Sequence, residues 1–222
     1  GHCEFMGLDF KVTENTLIPR GDTENIVEEV IATIENSGYN TVLDMCTGTG
    51  AIAISVANYT KAKVTASDIS SKALEVAREN AKILNADVNF IESDLFENIN
   101  ETFDVLVSNP PYIESEVIPT LMEQVKDYEP MLALDGGKDG LDFYRNIINQ
   151  AKNYINQNGC IVFEIGYNQG GQVKSLLENA GFVNINVKQD LAGLDRLVIG
   201  FKLWYTDHIR TGGKKCLKDL QI

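Results

Sequence analysis

What most constrains this chain is a repeated alternation of short apolar runs with helical stretches. Thr41 to Met45, Lys63 to Ser67, Val88 to Ile91, Phe103 to Ser108 and Cys160 to Ile165 have strand length. Between and after them, apolar residues recur at helical spacing. These stretches are Gly50 to Asn58, Ser70 or Ser71 through Leu84, about Gly140 to Ile155, and Asn168 to Ala180, closed by Gly181. Short apolar strands separated by helices need cover on both faces, which implies a mostly parallel sheet. Right-handed crossovers then leave a doubly wound α/β fold. Val183, Ile185 and Val187 alternate with polar residues, and Leu197 to Phe201 follows with no intervening helix. The expectation is a seven-stranded, mostly parallel sheet with an antiparallel hairpin at one edge. Ahead of it, Glu4 to Val12 alternates around Gly7 and predicts a hairpin or extended arm. Asp22 predicts an N-cap for a helix carrying Ile26, Val27, Val30, Ile31 and Ile34 on one face and ending at Asn36-Ser37-Gly38.

Composition narrows the function classes. Nineteen Lys+Arg stand against 32 Asp+Glu, a formal charge of −13. Such a surface repels phosphate backbones and anionic membranes, so neither direct nucleic-acid binding nor membrane binding is expected. No apolar run approaches the ~20 residues of a bilayer span, and no signal peptide is expected. Cys3, Cys46, Cys160 and Cys216 are scattered without a C-x-x-C pair, as suits a reducing cytoplasm. His2 and His208 are the only histidines, one at each end. A Ser-His-Asp triad or a His-rich metal site is therefore not expected, and no metal is assigned.

In a doubly wound sheet, ligands sit at the carboxyl ends of the strands. The first such loop reads Asp44-Met45-Cys46-Thr47-Gly48-Thr49-Gly50. Gly48 and Gly50 permit a tight turn and close ligand approach, and the helix that follows offers free N–H groups to an anion. Asp68 ends the next strand, where a carboxylate can hold two ribose hydroxyls. Asp94 follows the third, near where an adenine would lie. Gly48-x-Gly50-x-x-Ala53 formally matches a dinucleotide fingerprint. Asp44 instead favours S-adenosyl-L-methionine, since it would face that ligand's amino-acid moiety through loop amides or water.

The loop after the fourth sheet strand is the most informative: Ser108-Asn109-Pro110-Pro111-Tyr112. Two prolines stiffen it and remove donors. The Pro110 carbonyl and the Asn109 side-chain carbonyl remain as acceptors, and Tyr112 adds a planar face. Together they form a socket for a planar NH₂ group. Such a nitrogen is a poor nucleophile, so aiming it is where catalysis can act; good orientation is worth up to ~7–11 kcal/mol in the best intramolecular cases. No base is needed in the transition state, because the proton can leave after methyl transfer.

Asn109-Pro110-Pro111-Tyr112 is a signature of amino-methyltransferases acting on planar nitrogens. With Leu17 to Glu24, Tyr128 to Gly137 and Asp139 to Arg145, the chain resembles the HemK/PrmC family, protein-(glutamine-N5) methyltransferases of peptide-chain release factors. The likeness covers roughly residues 4 to 201. It implies a Rossmann-like class I methyltransferase fold: an arm over 1–21, the methyltransferase domain over 22–201, and an unplaced tail, 202–222. It further implies that Asp44, Cys46, Thr47, Gly48, Thr49, Gly50, Asp68, Ile69, Asp94 and Leu95 bind S-adenosyl-L-methionine, with S-adenosyl-L-homocysteine as product. Asn109, Pro110, Pro111 and Tyr112 would hold the substrate glutamine, with Asn109 also beside the methyl donor. Asn109, Pro110 and Tyr112 are the catalytic candidates. Arg20, Thr23 and Glu24 would line the entrance, and the Glu129 to Gly140 block would shape the pocket wall.

The implied substrate is the glutamine of a Gly-Gly-Gln motif in class I release factors, met by a cytoplasmic monomer. Adenine-N6 methylation of nucleic acid, ribosomal-protein glutamine methylation, a cofactor-binding module without catalysis and an NAD dehydrogenase are the alternatives. Cys46 stands where the family usually has glycine, and Gly21 where it often has proline. The family's N-terminal helical docking domain would precede residue 1, so the chain reads as a catalytic domain of a longer protein. The tail carries five basic and two acidic residues, so residues 1–201 carry −16. That charge favours a protein substrate over a nucleic acid.

Overall fold

The computed structural model describes residues 1–126 and 128–203. The chain opens with an antiparallel hairpin, β1 (His2–Phe5) and β2 (Leu8–Lys11), turning at Met6-Gly7. Then come α1 (Glu24–Ser37), β3 (Thr41–Met45), α2 (Ala51–Tyr59), β4 (Lys63–Asp68), α3 (Ser71–Ile83), β5 (Val88–Glu92) and β6 (Phe103–Ser108). After β6 the chain makes an excursion holding two short helices, α4 (Glu123–Lys126) and α5 (Met131–Leu134). It closes with α6 (Asp142–Ala151), β7 (Ile155–Glu164), α7 (Gly170–Asn179), β8 (Val183–Gln189) and β9 (Asp195–Phe201).

The sheet has seven strands in the order β5-β4-β3-β6-β7-β9-β8. The first four pairings are parallel, and β9 runs antiparallel to both β7 and β8. The expected mostly parallel sheet with an antiparallel edge is thus what forms. Strand alternation explains its two cores. Val42, Val64, Val105, Val107 and Val162 face α1 and α2, whereas Leu43, Met45, Leu106, Ile161 and Phe163 face α6 and α7. Strand order reverses between β3 and β6, so the carboxyl ends of these two neighbours diverge into a crevice.

Three boundaries differ from expectation. Asp22 does not cap α1. It lies in a 3₁₀ turn, Gly21–Thr23, and pairs with Arg196 on β9 at 3.0 Å, while Thr23 takes the cap position. The tertiary ion pair and the extra turn outcompete a local cap. The helix expected through Ile155 stops at Ala151, because Ile155 is needed in β7, where it pairs with Phe103 and is fully buried. Strand β7 therefore starts earlier than Cys160. Ser70, by contrast, caps α3 as expected, its hydroxyl accepting from the Ala73 amide. The tail beyond Leu203 lies outside the described residues. Among the described residues, no helix is long and apolar enough to cross a membrane.

Candidate active site

At the crevice between β3 and β6 the structure has a cavity of about 320 Å³, in the range of small-molecule pockets. The loop after β3 forms its floor. Cys46, Gly48 and Gly50 all have positive φ, 62°, 56° and 80°. A Cβ on Gly48 would meet nothing within 4 Å, so the loop there is open to close approach. Gly50 is needed for a different reason: its Cβ would stand 2.9 Å from Ile54 and 3.2 Å from Ala77 in the packing of α2 on α3. Cys46, Thr47, Gly48 and Thr49 line the cavity; Gly50 does not. Burial pushes the Cys46 thiol well above its ordinary range.

Asp44 is not a lining residue. It is fully buried beneath the loop, its Oδ2 accepting from the Thr47 hydroxyl at 2.5 Å and the Ala53 amide at 3.1 Å. It thereby sets the loop and the first turn of α2. Its Oδ1 has no partner among the described residues, and burial raises its pKa to about 7. Asp68, Ile69, Asp94 and Leu95 do line the cavity. Asp68 accepts from the Gly48 and Ser70 amides, both at 2.9 Å, which tie the ends of β3 and β4 together and aim its carboxylate. Burial raises its pKa against those bonds. Leu95 has φ 47°, in a turn closed by the Ser93 hydroxyl donating to the Leu95 carbonyl.

The wall opposite comes from the loop after β6. Asn109 and Pro111 line the cavity, Pro110 and Tyr112 do not. Pro110 is buried, and no donor reaches its carbonyl among the described residues. Tyr112 packs against the α6–α7 core rather than presenting a face to the cavity. Its carbonyl is gripped from behind by Gln169 Nε2 at 3.0 Å, which also donates to Gly140. A Cβ on Gly136 would lie 2.7 Å from Tyr112 Cα and 2.9 Å from the Pro111 carbonyl. The Asp135 to Gly140 segment is therefore the bracket that holds the Asn-Pro-Pro-Tyr loop, and Gly136 and Gly140 are required by their contact with it.

The roof is the arm. Asn15, Thr16, Leu17, Pro19 and Thr23 line the cavity, as do Pro130 and Leu132 from the excursion. Arg20 and Glu24 do not line the cavity. Arg20 reaches across to Glu129 at 2.5 Å and latches the arm to the excursion. Glu24 accepts from the Met6 amide at 2.6 Å and pins the hairpin to α1. Thr23 sits beside Asn109, whose Nδ2 lies 3.4 Å from the threonine hydroxyl. Glu164 and Gln169 escape the sequence reading, as does the bond of Glu129 to Arg20, although the Glu129 to Gly140 block was expected at the pocket wall. A signal was present: Glu164-Ile165-Gly166-Tyr167-Asn168-Gln169 is a polar cluster immediately after an apolar strand.

Residues 28–136 match the model of the "Methyltransferase small domain". The chain is 48% identical over 206 residues to the release factor glutamine methyltransferase of Clostridium acetobutylicum, covering 90% of this chain and 72% of that protein. The chain belongs to the release factor glutamine methyltransferase family. The Fusobacterium nucleatum member is 45% identical over 207 residues, 91% of this chain and 58% of its own. A solved methyltransferase from Pyrococcus furiosus superposes with a TM-score of 0.66 at 20% identity, covering 90% of this chain and 91% of that one. The fold is that of the class I methyltransferases.

Proposed function

We propose that this family member transfers a methyl group from S-adenosyl-L-methionine to the side-chain N5 of the glutamine in the Gly-Gly-Gln motif of class I release factors. One observation carries the reading. The socket residues Asn109 and Pro111 line the same cavity as Asp68 and the Gly48 loop. An acceptor for an amide and a carboxylate suited to a ribose thus share one enclosed space. The residues fit the methyl donor: Asp68 offers a carboxylate, Gly48 leaves room for close approach, and the orphan Asp44 Oδ1 supplies negative charge beneath the loop.

When bound, S-adenosyl-L-methionine supplies an electrophilic methyl and leaves as S-adenosyl-L-homocysteine. The protein's part is orientation. Asn109 Oδ1, at the cavity wall, accepts one N–H of the substrate amide, and the Pro110 carbonyl, set back from the lining but taken by no donor among the described residues, accepts the other, so the amide nitrogen can approach the methyl along one direction. The same two acceptors stabilise positive charge as it grows on that nitrogen. Pro110 and Pro111 cannot donate, so nothing in the loop competes for those acceptors. Tyr112 serves by its held carbonyl, through Gln169. Residues 22–201 form the catalytic domain, working as a monomer in the cytoplasm, with 1–21 as the arm that roofs the cavity. The −13 charge favours a protein substrate over nucleic acid.

The test is transfer of labelled methyl to a purified release factor, beside its Gln→Ala mutant and an adenine-containing duplex. Label on the duplex but not on the wild-type factor overturns the reading. Asn109→Ala should cut turnover at least 100-fold (about 3 kcal/mol) while leaving cofactor affinity within about threefold by calorimetry. Parallel loss of both would contradict the role given to that side chain.

A further inference from the structure

We propose that Asn80, on α3, is a positioning residue for the methyl donor: its one side-chain amide ties the arm that roofs the cavity to the loop that forms the floor. The inference rests on the reading that S-adenosyl-L-methionine occupies this cavity. Asn80 does not line the cavity and is fully buried. The other buried residues of α3 are apolar: Ala73, Leu74, Val76, Ala77 and Ala81. An amide in such a helix face costs stability unless its polar atoms are matched, so its partners define its role.

Three hydrogen bonds run from it to backbone, on two different walls. Oδ1 accepts from the Lys11 amide at 2.8 Å, and Nδ2 donates to the Lys11 carbonyl at 3.0 Å. The second Nδ2 hydrogen goes to the Thr49 carbonyl, also at 3.0 Å. Lys11 ends β2, and its neighbour Val12 exchanges bonds with Gly1 across the hairpin. In an antiparallel ladder the N–H and C=O of the adjoining residue then point outward. A side-chain amide offers a donor and an acceptor side by side and fits that pair. The fit is directional. Flipping the amide would set its NH₂ against the Lys11 N–H and its oxygen against two carbonyls.

Both ends of this tie lead directly into the cavity lining. Beyond Lys11 come Val12, Thr13 and Glu14, and then Asn15, Thr16 and Leu17, which line the roof. The turn between is closed by the Thr16 amide donating to the Thr13 carbonyl at 3.2 Å, so a shift at Lys11 is passed on rather than absorbed. Thr49 lines the floor, and the Thr49–Gly50 peptide is held on both sides. Asn80 takes its carbonyl, and its amide donates to the Thr47 carbonyl at 2.9 Å. Asn80 thus sets the separation of roof and floor on the α3 side of the cavity, where Ala73 joins the lining. The socket loop with Asn109 is not among its partners. Losing the tie should therefore weaken donor binding and spare the transfer step once the donor is bound.

The experiment measures S-adenosyl-L-methionine affinity by calorimetry, beside steady-state methyl transfer to a purified release factor. Asn80→Asp keeps the acceptor and removes both donors. It should weaken affinity and raise the donor KM by about tenfold or more, with kcat at saturating donor within about threefold. Lys11→Pro removes the arm's N–H without entering the core, because that N–H lies outside the hairpin ladder, a position that admits proline. It should weaken affinity by about threefold or more, and N80D with K11P should match N80D alone within about twofold. Lys11→Ala loses only the exposed ion pair to Glu79, and Val30→Ala opens the core at α1; both should leave affinity unchanged. Wild-type affinity in N80D overturns the proposal, as do additive effects of N80D and K11P, or an equal loss of affinity in V30A. If N80D does not fold, K11P against K11A carries the test, and equal affinities overturn it. If wild type binds no S-adenosyl-L-methionine, the cofactor reading fails, and hydrogen exchange of the ligand-free protein decides this proposal independently. Faster exchange in K11P than in K11A over both 12–17 and 47–51 supports the tie; a change confined to 12–17 overturns it.

Discussion

Asparagine in place of Asp44 tests whether a carboxylate held against its own solvation organises the loop after β3. Asp44 is fully buried, with two hydrogen bonds on Oδ2 and none on Oδ1 among the described residues. Burial dominates, and the pKa rises from 3.8 to about 7. A carboxylate raised in this way contributes stability that is fully present below its unfolded pKa. That contribution is lost as pH rises through the folded value. Roughly three pKa units at about 1.4 kcal/mol each amount to about 4 kcal/mol, of which about 3 kcal/mol disappears between pH 5 and pH 8. D44N keeps an acceptor for Thr47 and Ala53 but has no charge to bury. Urea unfolding of both proteins should therefore show the variant gaining about 3 kcal/mol on wild type from pH 5 to pH 8. Burial also raises Glu129 and Glu164, but in both proteins alike; the nearby Asp68 adds to the Asp44 shift, so the difference reports Asp44 together with its coupling to Asp68. A stability difference that stays level across that range would refute the assignment. The added stability should come with weaker methyl-donor binding, because the buried negative charge under the loop is what the variant removes.

Two further substitutions probe the loops by their backbone. Gly140 has φ 70°, and a Cβ there would meet the Tyr112 carbonyl and Gln169 Nε2, the latter at 2.7 Å. Gly140→Ala should lower kcat at least tenfold while leaving cofactor affinity nearly unchanged, as steady-state kinetics beside calorimetry will show. Cys46 holds a left-handed φ of 62° that a branched side chain tolerates poorly. Cys46→Val should destabilise by about 1–3 kcal/mol and Cys46→Gly by less than about 1 kcal/mol, read from thermal melts.

The departure at Cys46 shows what a sequence carries and what it omits. The resemblance leads one to expect glycine at that position, and the left-handed backbone there is one that favours glycine. A cysteine is tolerated because strain at one residue is small beside the packing of β3. The strands were legible because their apolar runs are continuous, as in Phe103–Ser108, whose predicted and observed limits coincide. The same local signals misplaced Asp22 and Ile155, because the winning interactions are distant in sequence. Arg196 is 174 positions from Asp22, and Ile155 answers to Phe103. The cavity side of the site was legible too, since Gly48, Asp94 and Asn109 follow strands, Asp68 ends one, and all four reach the cavity.

What escaped is the support behind it, and for a shared physical reason. Glu129 and Gln169 act through partners that no spacing rule connects, Arg20 and the Tyr112 carbonyl. Each constrains a group that reaches the cavity, or the arm that roofs it, without reaching the cavity itself. The division follows from the chemistry of the socket. Proline supplies acceptors with no donor of its own, so the loop cannot brace itself by backbone hydrogen bonds. Bracing must come from outside: Gly136 and Gly140 allow the bracket to press against the loop, and Gln169 takes the carbonyl the prolines leave exposed. A socket built to have unsatisfied acceptors is thus obliged to borrow its rigidity from β7, α6 and the excursion. That is why substitutions in those braces should act on turnover before they act on cofactor binding.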